Sequence, residues 1–441
     1  MKKTIFTNGI ALIWNNNQLD QRRVDIAIEN GKITEIGENL NSNQAEIIDC
    51  QGLHILPGII DTQVHFREPG LTHKEDLETG TRSALMGGVT TVFEMPNTKP
   101  STTTKEQFEE KLRLANGRAH CHYAFYIGAA MENASELHEL EQLPHCSGVK
   151  IFMGSSTGSL LVDDETVLEH VLKNGARRVI VHAEDEARLK ERKYLTESHD
   201  VRLHHVWRDE ETALLATKKL LKIARKYQRP VHVLHVTTKQ EMDFLRNQKD
   251  LATVEVLPQH LTLFAPDCYE QLGSKAQQNP PIREKHHQEA LWQAIHNGTV
   301  DIIGSDHAPH TLEEKAQLYP MSPSGMPAVQ TLVPVMLNHV HNKKLSLEKF
   351  TLMVTENPRR IFQIQNKGRI EIGYDADLTI VDLQKHQTIT NEWLQTKSGW
   401  SPFENMNVTG WVNQVWLNGR CAMKNDKILI PHSGKAINFE K

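Results

Sequence analysis

From Pro57 to Gln365, short apolar runs alternate with stretches of helical periodicity, and this alternation limits the fold more than any other property of the sequence. The runs are Ile59 to Val64, Thr90 to Met95, Ala124 to Ile127, Val149 to Phe152, Arg178 to His182, Val231 to His235, Val254 to Leu257 and Val300 to Ile303. Most are apolar nearly throughout, the pattern of strands buried on both faces, which a parallel sheet covered by helices requires. Helical stretches such as Thr104 to Ala115, Glu210 to Tyr227 and Glu289 to Ile295 fall between them. Eight such units predict a (β/α)8 barrel, with its chemistry at the C-terminal ends of the strands.

The two ends of the chain have a different texture. Short alternating strands are expected at Thr4 to Phe6, Val24 to Ile28, Lys32 to Ile36 and Ala45 to Ile48, and again at Asp377 to Asp382, Val412 to Leu417 and Lys427 to Ile430. The dipeptides Asn30-Gly31 and Asn418-Gly419 are hairpin turn signals. Residues 1–56 and 366–441 are therefore expected to form one discontinuous β domain beside a barrel of residues 57–365. With 441 residues, 39% of them hydrophobic, the chain can bury a core of that size.

Composition narrows the partners. The 50 basic and 55 acidic residues leave a net charge of -5 with no long basic block, which argues against nucleic acid or a membrane surface as the main partner. No run of about 18 apolar residues occurs and the N-terminus lacks a leader pattern, so a soluble, cytoplasmic protein is expected. The five cysteines are scattered without a CxxC pair, so they are expected to be reduced and structural.

If the barrel forms, the polar residues that follow its strands meet in one pocket. These are His65 after the first strand, Lys150 on the fourth, His182 ending the fifth, His235 ending the sixth and Asp306 after the eighth. Neutral imidazoles and a carboxylate are the ligands of hydrolytic Zn2+ sites. A protonated Lys150 cannot bind a cation, but its neutral amine can add carbon dioxide to give a bridging carbamate, and burial favours that form. The segment PGIIDTQVHFREP places Gln63, His65 and Arg67 two residues apart, on one face of a regular strand, with Arg67 as an anion binder. Bland readings stand beside these. A strand-end histidine is usually a core residue, Lys150 can snorkel to solvent, Arg67 can pair with Glu68, and Asp306 can cap a turn. Asp163 and Asp164 read as a helix start, and Glu184, Asp185 and Glu186 as a solvated first turn.

The ordered motifs PGIIDTQVHFREPG (Pro57 to Gly70), MPNT (Met95 to Thr98), VKIFMGSS (Val149 to Ser156), VHAEDE (Val181 to Glu186), LHVTT (Leu234 to Thr238), NPPIR (Asn279 to Arg283) and SDHAPHT (Ser305 to Thr311) make the chain resemble the dihydroorotases of the cyclic amidohydrolase superfamily. That resemblance implies a composite β-sandwich from the two termini. It implies one or two zinc ions, with Lys150 as a carbamylated bridge, His182 and His235 on the more buried ion, and His65 and Asp306 on the more exposed one. Arg67, Asn97 and His310 are implied to hold the substrate carboxylate, and Asn279 to contact the ring through main-chain groups. FREPG and MPNT favour dihydroorotate over allantoin and hydantoin-like rings.

The implied reaction is reversible hydrolysis of (S)-dihydroorotate to N-carbamoyl-L-aspartate in pyrimidine synthesis, by a metal-bound hydroxide with Asp306 as general base. A homodimer is expected. Gln63 departs from the family pattern, which has histidine there, and its amide is expected to serve as a weak ligand or a partner of a metal-bound water. Ala328 and Gln330 depart too, where glycine and glutamate are usual. The alternative function is an inactive homologue that scaffolds aspartate carbamoyltransferase, and the retained ligands favour the enzyme.

Overall fold

Eight parallel strands pair in strict sequence order in the computed structural model, which describes residues 2–15, 17–41, 43–154 and 160–440. They are β1 (Ile59–Val64), β2 (Val89–Glu94), β3 (His122–Gly128), β4 (Cys146–Phe152), β5 (Val179–His182), β6 (Val231–Val233), β7 (Ala252–Val256) and β8 (Ile302–Ile303). The sheet closes where Val64 bridges His307 and the His65 N–H donates to the His307 carbonyl at 2.8 Å. Every residue of all eight strands is buried, as their apolar runs require. The expected (β/α)8 barrel is thus the observed one. One strand end matters for the site: β6 ends at Val233, so His235 stands two residues beyond it. Ser155 and Ser156 of the VKIFMGSS motif lie outside the described residues.

Helices cover the barrel where their apolar spacing allows it. Glu210–Tyr227 starts at Asp209, whose carboxylate accepts the Thr212 N–H, and turns Ala213, Ala216, Leu220 and Ala224 inward at three- and four-residue intervals. Leu220 is fully buried, which contributes about 1.5–3 kcal/mol relative to an exposed leucine. Lys105–Ala115 begins with a Thr104–Gln107 capping box. Asp164 caps Glu165–Lys173, as its sequence context suggested. The helix expected at Glu289 to Ile295 runs longer, Lys285–His296, because its first turn is polar and carries no apolar period.

The terminal segments form two sheets. One has seven strands in the order Lys427–Ile428, Arg420–Lys424, Asn407–Leu417, Leu378–Thr388, His54–Pro57, Ile10–Asn15 and Gln18–Arg23; the other has four, Lys32–Gly37, Asp25–Glu29, Thr4–Thr7 and Glu46–Asp49. Phe6, Ile26, Ile55, Leu378 and Trp416 fill one core drawn from both sheets, with the Phe6 and Trp416 rings edge to face at 4.8 Å. Asn30 and Gly31, and likewise Asn418 and Gly419, all have positive φ, the requirement of a tight two-residue hairpin turn. The last stretch returns to the barrel, where Ala436 bridges Tyr123 and Ile437 and Phe439 join Phe93, Tyr126 and Phe362 in the barrel's own core. All five cysteines are free, four of them buried. Among the described residues no helix is long and apolar enough to cross a membrane.

Candidate active site at the strand ends

One cavity of about 820 Å3 opens at the C-terminal ends of the strands, and all ten residues singled out in the sequence line it. Strand alternation alone does not bring them there. β1 is irregular between Asp61 and Val64, and Arg67 lies past the strand with φ 60°. His235 and Asp306 also have positive φ, 36° and 46°, a conformation that costs a non-glycine residue about 1–3 kcal/mol and is held only by its surroundings.

The buried half of the site is built on β4, β5 and the turn after β6. His182 Nδ1 and His235 Nε2 face each other at 3.2 Å. His182 Nε2 lies 2.9 Å from a Glu184 carboxylate that Arg208 grips at 2.6 and 3.0 Å. Donation from Nε2 to Glu184 leaves the Nδ1 lone pair aimed at His235. Burial holds both histidines below their usual pKa, so both are neutral. Burial also pulls the Lys150 amine down to about 7, against the opposing charges of Asp306 and Glu255, and the amine stacks 4.5 Å from the Phe152 ring centre. Glu184 corrects the expectation of a solvated first turn. It is fully buried, and although burial alone would raise its carboxyl, Arg208 and His182 hold it well below the carboxylate range. Its signal was present in the sequence, since Glu184 follows His182 by two residues, the spacing that lets a side chain share a strand face.

The more open half centres on Asp306. Its Oδ1 accepts from Gln63 Nε2 at 2.9 Å and lies 3.2 Å from His65 Nε2, while Oδ2 accepts from Gln278 Nε2 at 3.2 Å. Burial opposes its ionisation, but hydrogen bonds with His65 and Gln278 bring the carboxyl down to about 2. His65 Nδ1 lies 2.6 Å from Asn97 Oδ1, so Asn97 braces His65. Gln278 had no motif to announce it; it lies in the loop before NPPIR.

At the rim, Arg67 is 7% exposed and no carboxylate pairs with it among the described residues. Its Nε donates to the Pro309 carbonyl at 3.2 Å, and its Nη2 lies 3.1 Å from His310 Nε2. Lys74 Nζ donates to His310 Nδ1 at 3.1 Å. Burial lowers the Arg67 pKa to about 10, so it remains a cation at neutral pH. Asn279 Oδ1 lies 3.0 Å from His204 Nε2, which fixes that side chain at the cavity wall. Beside His310 the wall continues as the segment 320–325, held by Lys315, whose buried amine donates to the carbonyls of Gln277, Pro323 and Gly325 at 3.1, 2.8 and 3.2 Å.

Whether these side chains suit a metal ion can be tested on their geometry. Two ligands of a tetrahedral Zn2+ at 2.0–2.1 Å stand about 3.4 Å apart. The His182–His235 pair has nearly that separation, and His235 Nδ1 is buried with no hydrogen-bond partner among the described residues. Among the described residues no three His, Cys, Asp or Glu side chains converge as a ligand set, and Lys150, which lines the same cavity, would add a ligand to the pair only as its carbamate. The buried half fits an ion on that condition. The open half offers His65 and Asp306, with an amide N–H already on the carboxylate.

A closed (β/α)8 barrel that gathers histidines, a lysine and an aspartate at its strand ends has the architecture of a metal-assisted hydrolase. The chain belongs to the Amidohydrolase family, whose sequence model matches residues 54–422. It is 38% identical over 410 residues to the dihydroorotase of Methanosarcina acetivorans, covering 89% of this chain and 87% of that one. It is 33% identical to the dihydroorotase of Bacillus cytotoxicus, covering 97% and 99%. Among solved structures, the L-hydantoinase (dihydropyrimidinase) of Arthrobacter aurescens superposes with a TM-score of 0.93 at 26% identity, covering 99% of this chain and 100% of the other. The protein is a cyclic amide hydrolase.

Proposed function

We propose that the protein is a dihydroorotase, which opens the ring of dihydroorotate to N-carbamoyl-L-aspartate and closes it in reverse. The observation that carries this choice is Arg67: a buried guanidinium that no carboxylate among the described residues touches, set at the rim of the cavity that holds Asp306. A neutral ring leaves this guanidinium with only the more distant charges of Asp306, Glu94, Glu314 and Glu75, whereas a ring carboxylate meets it directly in a fork geometry. The dihydroorotase relatives agree with this reading, and the hydantoinase likeness speaks for the same fold and reaction class.

His182, His235 and a carbamylated Lys150 would hold one zinc ion, and His65 with Asp306 are the residues available to a second. Such an ion supplies Lewis acidity, polarising the amide carbonyl and acidifying water. The remaining work falls to the chain. Arg67, with His310 beside it, anchors the carboxylate and so fixes which ring carbonyl faces Asp306. Asp306, ionised at neutral pH, takes a proton from the attacking water as its oxygen bonds to the carbonyl carbon, and returns that proton to the ring nitrogen as the C–N bond breaks. In the closing direction the same carboxylate takes the proton from the ureido nitrogen. Asn97 and Glu184 keep His65 and His182 in orientation.

The test is turnover by the parent and by Arg67→Met. Loss of a buried charge partner costs about 2–5 kcal/mol, or about 30- to 5,000-fold in kcat/KM on dihydroorotate. Dihydrouracil, which lacks the carboxylate, should show no comparable loss. An equal loss on both rings would contradict the assignment of Arg67.

A further inference from the structure

Asp306 is held by two glutamine amides, one on each carboxylate oxygen. Gln63 Nε2 donates to Oδ1 at 2.9 Å and Gln278 Nε2 to Oδ2 at 3.2 Å, from opposite ends of the barrel sequence. Both side chains are about 1% exposed, and in both the amide oxygen Oε1 is buried with no hydrogen-bond partner among the described residues. The orientation of each amide follows from chemistry. Turning either one over would put a carbonyl oxygen against a carboxylate and bury two N–H donors where the structure provides no acceptor for the oxygen's place. Each glutamine therefore keeps its donor side on Asp306.

We propose that Gln63 and Gln278 form a two-amide clamp that makes Asp306 a hydrogen-bonded base and not a metal ligand, so that this enzyme works with one ion per chain, held by His182, His235 and Lys150. An N–H directed at Oδ1 carries positive partial charge toward the place a second cation would need. His65, the only other candidate ligand in that half, then serves as a third contact to Asp306, braced by Asn97. Gln63 is in this sense a positioning residue that replaces a ligand with a donor. The proposal rests on the metal-assisted hydrolase reading, but not on dihydroorotate being the substrate.

Two measurements test it. The first is zinc per chain, by elemental analysis after equilibrium dialysis against zinc and bicarbonate: one ion is expected in the parent and in Gln63→Met, and two in Gln63→His, which supplies an imidazole. The second is steady-state kinetics of Gln63→Met and Gln278→Met, where kcat should fall about 10- to 100-fold with KM and zinc content unchanged. Two ions in the parent, or none, would overturn the clamp, as would a loss of zinc on Gln63→Met, which would make Gln63 a ligand. A one-ion parent that ignores dihydroorotate would leave the clamp standing and remove the substrate assignment instead.

Discussion

At the scale of single residues, the site combines groups that announce themselves in sequence with groups that do not. His65, Lys150, His182, His235 and Asp306 were legible because each follows or ends an apolar run, and a barrel brings such ends together. Glu184 was hidden by its neighbours: with Asp185 and Glu186 it reads as the acidic start of a helix, and Asp185 does cap that helix while Glu184 turns inward to His182. This gives a prediction at the same scale. Glu184→Gln removes the charge that fixes the His182 tautomer, so zinc affinity should fall about 10- to 100-fold. Competition against a chelator of known affinity measures this, and an unchanged affinity would show that Glu184 serves the fold alone. Gln278 carried no signal, because a lone glutamine in a loop is indistinguishable from a surface residue until its partner is known.

At the scale of elements, two connections hold the site in place and each can be tested. Lys315 ties the segment 320–325 to the cavity through three carbonyls, and burial pulls its amine down to about 7. Lys315→Met keeps the volume and removes the donors, leaving the Pro323 and Gly325 carbonyls without this partner at about 1–3 kcal/mol each, while Gln277 keeps the Gly325 N–H. Amide hydrogen exchange in residues 320–325 should accelerate at least tenfold; unchanged protection would mean that Lys315 does not hold the segment. The second connection is Asp377, between the terminal sheets and the barrel. Its carboxylate meets Lys367 at 2.6 Å, the Asn418 N–H at 2.7 Å and His122 of β3 at 3.3 Å. Burial would raise its pKa, but Lys367 and His122 hold it well below the carboxylate range. A depressed folded pKa means that the unfolded chain binds the proton more readily. The stability is therefore complete above the unfolded pKa of about 3.9 and drains away as pH falls below it. Thermal unfolding from pH 5 to pH 3 should thus fall more steeply in the parent than in Asp377→Asn, which itself should lose about 3–5 kcal/mol at neutral pH. Parallel curves would remove Asp377 from the acid response. The barrel strands were legible because burial on both faces makes their sequences apolar. Ile10–Asn15 and Gln18–Arg23 were missed because the second strand, QLDQRR, is a polar edge strand whose pairing comes from its neighbour and not from its own pattern.

For the whole molecule, sequence order translated directly into barrel order, while closure and the path of the tail did not. Closure depends on the Val64–His307 bridge and the hydrogen bonds of Ser305 to Asp61 and Gln63, and the tail's return on Ala436 meeting Tyr123, contacts between distant residues that no local pattern encodes. Closure is also what brings Gln63 and His65 to Asp306, 243 residues away from Gln63, so the catalytic half of the cavity exists only in the finished barrel. On the proposed reading this cavity takes a ring that bears a carboxylate. The direct measurement is kcat/KM of the parent, loaded with zinc and bicarbonate, on (S)-dihydroorotate, hydantoin, dihydrouracil and allantoin side by side. The account predicts that dihydroorotate is opened, and carbamoyl aspartate closed, at least 100-fold more efficiently than any neutral ring is opened. Faster turnover of a neutral ring, or no turnover of dihydroorotate in either direction, would contradict it.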